Sequence, residues 1–191
     1  KDTISVAGDN NTVNSGAGDD NITASGNSDT INAGDGNDSV TMTGNSNTVN
    51  AGNGNDHVTI SGSDNKVDAG NGDNEVTISG DKNSITSGTG KDTISISSGD
   101  SITVNSGAGD DNITANGNSD IIDAGDGNNE ITIGSGDHNS IVSGSGKDTI
   151  SVAGDSITVN SGDNNDSITA SGNSDIINAG DGNDSVTMTG N

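Results

Sequence analysis

The 191-residue chain contains no Cys, Pro, Phe, Trp or Tyr, and it also lacks Leu, Arg and Gln. Without Cys there is no disulfide framework and no thiol chemistry. With no aromatic side chains and only 24% hydrophobic residues, a thick globular core is excluded. Basic residues are scarce too: five Lys against 29 acidic residues give a formal net charge of −24. That balance offers no basic footprint for nucleic acid, and an anionic membrane surface repels it. No apolar run is long enough to insert in a membrane, and no signal peptide is recognisable. Low hydrophobicity with high net charge would by itself favour disorder. The natural partner of such a chain is a cation, and a core this poor needs metal or stacking as its staple.

What is present is a period. Gly-x-Gly occurs at 16–18, 34–36, 52–54, 70–72, 88–90, 107–109, 125–127, 144–146 and 180–182, while 162–164 reads Gly-Asp-Asn. The spacing is 18 residues, except for two copies where it is 19. A fixed period of this size is the signature of a repeat architecture. Two residues after each pair stands an acidic column: Asp2, Asp20, Asp38, Asp56, Asn74, Asp92, Asp111, Asn129, Asp148, Asp166 and Asp184. Apolar residues follow at alternate positions, as in Val40 and Met42 or Val58 and Ile60, with Thr or Ser between them. This is the period-two pattern of a short strand, apolar in and polar out. The other half of each unit holds a second strand, whose inward column includes Val13, Ile31, Val49, Val67 and Ile85.

The pattern predicts an all-β fold: a parallel β-solenoid or β-roll with two strands per 18-residue coil, about ten to eleven coils and no caps, continuous over residues 1–191. At roughly 4.8 Å per coil such a rod is about 50 Å long. Residues 1–45 match 147–191 at 38 of 45 positions, so a super-repeat covers 1–146 and restarts at 147. The chain starts at Lys1 without Met, and it is expected to be a window cut from a longer array.

The acidic column has a physical requirement. Unit charges stacked about 4.8 Å apart repel by roughly 1 kcal/mol in water and several-fold more when desolvated. Gly-x-Gly admits positive φ and lets carbonyls turn toward a central ion. Carboxylate and backbone carbonyl oxygens, six to eight together, are calcium chemistry. Magnesium demands a tighter octahedron, and zinc would want Cys or His, of which there are none and two. Simple turn chemistry is the plainer account of an Asp or Asn column, but nine Asp among eleven positions exceed what turn preference requires.

The turn Ala33-Gly34-Asp35-Gly36-Asn37-Asp38-Ser39-Val40-Thr41, and its copies, resembles the Gly-Gly-x-Gly-x-Asp-x-apolar-x nonapeptide of RTX proteins, which form calcium-bound parallel β-rolls. The resemblance implies one row of calcium ions along the Gly-x-Gly-x-Asp edge. Its carboxylate ligands would be Asp2, Asp20, Asp38, Asp56, Asp92, Asp111, Asp148, Asp166 and Asp184. Backbone oxygens would come from near Gly16, Gly18, Gly34, Gly36, Gly52, Gly54, Gly70, Gly72, Gly88, Gly90, Gly107, Gly109, Gly125, Gly127, Gly144, Gly146, Gly180 and Gly182. The first Gly of the motif is Ala or Ser here, as at Ala33 and Ser15, and the alternate half-turn lacks Gly-x-Gly. Its equivalent column mixes Asn, Asp and Ile (Asn11, Asp29, Asn47, Asn65, Asn83, Ile102, Asp120, Asn139, Ile157, Asp175), so that edge is expected to stack amides without an ion. Sites at Asn74, Asn129 and the Gly-poor turn 162–164 are expected to be weaker.

His57 and His138 lie at unrelated repeat positions and read as solvent-facing, and no singular constellation of catalytic groups exists, so the chain is not read as an enzyme. The resemblance implies secretion and function outside the cell. The reading that follows is a calcium-stabilised segment of an extracellular filament or cell-surface adhesin stalk, with self-association end to end or side by side. The alternatives are an ice-binding surface on the Thr columns, or an export and folding module of a secreted toxin or hydrolase. Against ice, the residue between the two glycines is Thr only at Thr89.

Overall fold

The computed structural model describes residues 1–190. Among these residues the only regular elements are strands: 21 of them form two parallel sheets, of eleven and ten strands, with the chain alternating between the sheets. Among the described residues there is accordingly no helix long and apolar enough to cross a membrane. The first sheet runs from Thr3–Ala7 to Ser185–Thr189, and the second from Thr12–Ala17 to Ile176–Asn178. Strands one coil apart pair in register, so like residues stack: Ile22 on Val40, Thr23 on Thr41 and Ala24 on Met42. The stacking follows from the sequence because a parallel ladder with an 18-residue step superposes each column on itself.

The core is one narrow seam between the sheets. Each coil contributes two first-sheet side chains and one or two second-sheet ones, as with Val40, Met42, Val49 and Ala51, all at 0% exposure. Burying a large aliphatic side chain contributes roughly 1.5–3 kcal/mol, and β-branched residues suit the pleat. Where the second sheet carries Ser instead of Ala, at Ser87, Ser106, Ser143 and Ser161, the hydroxyl is buried and donates to a carbonyl of the next coil. At the last strand, where no further coil covers the seam, Val186 and Met188 are exposed.

The two 19-residue coils place their extra residue in the first sheet. Register shifts between Ile96 and Ser98, and again opposite Ala115 and Asn116, leave Ser97 and Gly134 without partners in the ladder. Each insertion is a bulge that leaves both turns on the repeat's path.

The turns make the two edges of the stack. On the first edge Gly34 has φ +111°, and a Cβ there would stand 1.8 Å from the carbonyl oxygen of Gly16 one coil away. On the second edge each turn holds one non-glycine residue in the left-handed region, including Ser28 (φ 59°), Ser46 (φ 57°), Lys82 (φ 58°) and His138 (φ 62°). Such a residue costs roughly 1–2 kcal/mol, so the stack must impose that conformation.

Candidate functional site

Along the first edge the acidic column faces inward. Asp20, Asp38, Asp56, Asp92, Asp111, Asp148 and Asp166 are each at most 3% exposed. Asp184 is half-buried and Asp2 is exposed, because each lies in a coil covered on one side only. One carboxylate oxygen has a regular role: Oδ1 accepts the backbone N–H of the preceding coil's residue in the same column. Asp20 N–H donates to Asp38 at 2.7 Å, Asp38 N–H to Asp56 at 2.8 Å and Asp148 N–H to Asp166 at 2.9 Å. The ladder passes through Asn74 and Asn129 unchanged.

The other oxygen has no partner. Oδ2 of each of those seven Asp residues is buried and receives no hydrogen bond. A buried polar atom left unmatched costs about 1–3 kcal/mol, and more when charged. Burial accordingly pushes the Asp56 carboxyl up to about 6, with the Asp38 N–H countering and the Asp38 charge adding to the rise. Burial likewise raises Asp92 to about 6, against the pull of the Asn74 N–H. Asp38, Asp111 and Asp148 are raised for the same first reason.

Asn74 and Asn129 reveal what this oxygen faces. Nδ2 of Asn74 donates to the carbonyls of Gly72 (3.0 Å), Ser87 (3.4 Å) and Gly70 (3.5 Å). Nδ2 of Asn129 donates to Gly127, Ser143 and Gly125 at 3.2, 3.2 and 3.3 Å. Both glycines of the turn and the residue just after a second-sheet strand of the next coil therefore turn their carbonyls toward one point. The repeat register puts the carbonyls of Gly52, Gly54 and Ala69 in the corresponding places at Asp56. There the amide is replaced by an unprotonated oxygen, so acceptors face acceptors. A cation of oxygen-rich preference fits this donor set.

The predicted glycines, in every pair from Gly16 and Gly18 to Gly180 and Gly182, adopt positive φ. In the turn that has lost its second glycine, Asn164 takes φ 85°, so the path is kept without it. Among the described residues no three His, Cys, Asp or Glu side chains cluster as a metal-ligating group. The candidate site is thus one carboxylate set among main-chain carbonyls.

The motif did not point to two further carboxylates. Asp29 and Asp120, on the second edge, are each 1% exposed and also hold a buried Oδ2 without a partner. Burial raises Asp120 to about 6. Their signal in the sequence was a charged residue in a column otherwise rich in Asn. His57 is exposed as expected, and its Nδ1 lies 3.2 Å from Glu75 of the next coil. A shallow hollow at the last coil, lined by Asp175, Met188 and Thr189 among others, brings no second titratable group to its wall.

Outside the inner ladders run exposed ones of opposite sense. Asn27 N–H donates to Asp9 at 2.8 Å, Asn45 N–H to Asn27 at 2.9 Å and Asn55 N–H to Asn37 at 2.8 Å, each toward the preceding coil.

Fold and edge together define a class: a parallel β-solenoid that stacks buried carboxylates against glycine carbonyls. Residues 5–40, 103–131 and 158–186 match the family described as RTX calcium-binding nonapeptide repeat (4 copies). The chain carries RTX nonapeptide repeats, which are calcium-binding motifs and typically belong to secreted bacterial proteins. Residues 42–109 match a second family, described as Protein of unknown function (DUF3060). No curated protein and no solved structure matches the chain.

Proposed function

We propose that this chain is a calcium-stiffened segment of an extracellular filament or cell-surface adhesin stalk. Calcium would be held along the first edge by Asp20, Asp38, Asp56, Asp92, Asp111, Asp148 and Asp166, and at the end coils by Asp2 and Asp184, together with the glycine carbonyls of each turn. When bound, the ion supplies the positive charge that the facing oxygens lack. The observation that carries this reading is the row of buried Oδ2 atoms without partners, each at the column position where Asn74 and Asn129 present an amide to three carbonyls.

The ladder's own repulsion then makes the ion part of folding. Binding free energy becomes folding free energy when the site does not exist in the unfolded chain. A chain that stays open where calcium is scarce and closes where it is abundant suits export followed by assembly outside the cell. Uniform coils give length and stiffness, and the repetition of carboxylates in one environment supports a structural role over an enzymatic one. The test is circular dichroism with thermal melting in calcium and in chelator. A cooperative β signal in calcium that is lost or severely weakened in chelator is expected, and an identical melt in both would refute the reading.

A further inference from the structure

The second edge lacks the Gly-x-Gly-x-Asp motif, and its turns read Gly26-Asn27-Ser28-Asp29 and Gly117-Asn118-Ser119-Asp120. Five of its coils carry Asn in the inner column (Asn11, Asn47, Asn65, Asn83 and Asn139), and their amides point at glycine carbonyls, that of Asn11 at Gly8. Asn47 donates to Gly26 and Asn65 to Gly44, both at 3.1 Å. Asn83 donates to Gly62 at 2.9 Å and Gly80 at 2.8 Å, and Asn139 to Gly117 at 3.1 Å and Gly136 at 3.2 Å. Carbonyls of successive turns thus converge on one point in the cage, and the amide fills it.

Asp29 and Asp120 enter the same cage with the wrong polarity. Their Oδ1 atoms keep the ladder, accepting from the N–H of Asn11 at 2.7 Å and of Ile102 at 2.9 Å. Their Oδ2 atoms take the amide's place. A Cβ built on Gly44 would stand 3.3 Å from Nδ2 of Asn47, on Gly26 it would stand 3.0 Å from Oδ2 of Asp29, and on Gly117 3.2 Å from Oδ2 of Asp120. Both oxygens are buried and unpartnered. One coil before Asp120 the column holds Ile102, which supplies no polar group.

We propose that Asp29 and Asp120 each hold a divalent cation, calcium by the oxygen-only donor set, in the second-edge cage that an Asn amide fills in neighbouring coils. The sites would be isolated rather than a row, and they replace the one-edge arrangement that the motif implies. The inference rests on the first-edge reading, because it takes calcium as the ion both edges meet.

Bound calcium per chain, counted by equilibrium dialysis and atomic absorption, tests it on the 191-residue chain. The variants are D29N and D120N, with D56N as the first-edge reference. Asn at these columns is already accommodated elsewhere in the stack, so the variants retain the fold. Each second-edge substitution is expected to remove about one ion per chain, as D56N does. D120N is also expected to melt above the parent in chelator, its amide filling the cage as that of Asn139 does. An unchanged count in D29N and D120N, beside a loss in D56N, overturns the second-edge sites and leaves the first edge standing. No bound calcium in the parent chain overturns both.

Discussion

Asp56 and Asn74 occupy the same place in successive coils and differ by one terminal group. The amide meets the carbonyls that the carboxylate oxygen cannot. Exchanging them therefore has opposite effects in the two ionic conditions. In chelator D56N is expected to stabilise the chain by about 1–3 kcal/mol, the cost of an unmatched buried group. In calcium it loses a site, and its advantage shrinks or reverses; paired melts of parent and variant measure both. The glycines allow a second expectation. G34A would place a methyl group 1.8 Å from the Gly16 carbonyl at φ +111°, and a cost of about 3 kcal/mol or more follows from overpacking plus left-handed strain, readable as a lowered Tm in calcium. The column Asp20 to Asp166 was legible in the sequence because position in an 18-residue period fixes facing. The direction of each Oδ2, and the equivalence of Asp29 and Asp120 to it, was not legible. Those depend on where glycine carbonyls turn, and a mixed column of Asn, Asp and Ile carries no periodic charge signal.

At the level of strands and turns, the repeated elements behave as a set in their response to acid. Burial holds Asp56, Asp92 and Asp120 near 6, above the ordinary 3.8. A carboxyl raised on folding binds its proton more tightly in the folded chain, so folding is favoured below the unfolded value and that advantage is lost as pH climbs through about 6. In chelator the Tm is expected to fall as pH rises from about 4 to about 7. With calcium saturating, protons compete with the ion and the trend should reverse; circular dichroism melts across this range check both signs. Strand positions were fully legible, since the alternation at Val40, Thr41 and Met42 leaves no other face for the core. The bulges at Ser97 and Gly134 were visible only as a spacing of 19, because a period change does not say which element absorbs it. The left-handed Ser28 and Lys82 were invisible: no composition rule favours Ser or Lys there, and neighbouring coils impose the angle.

For the whole molecule, a formal charge of −24 on a thin stack makes calcium and ionic strength the main external controls of stability. Outward Thr rows stay in register from Thr23 to Thr77 on one sheet and from Thr12 to Thr48 on the other, but continue into Ser95 and Lys66 respectively. An ordered water template over many coils is therefore interrupted, and micromolar protein is expected to show no thermal hysteresis by nanolitre osmometry. Coil number and two-sheet architecture follow directly from the repeat, because stacking is the only way so few apolar residues can find partners.

The bulges have one more consequence. Nearly interchangeable layers let a growing stack skip a layer and extrude 18 residues as a loop, with most columns still matched to equivalents. Two layers of odd length, at Ser97 and Gly134, spoil that degeneracy. They act as phase marks, telling an otherwise monotonous chain which of its layers is which.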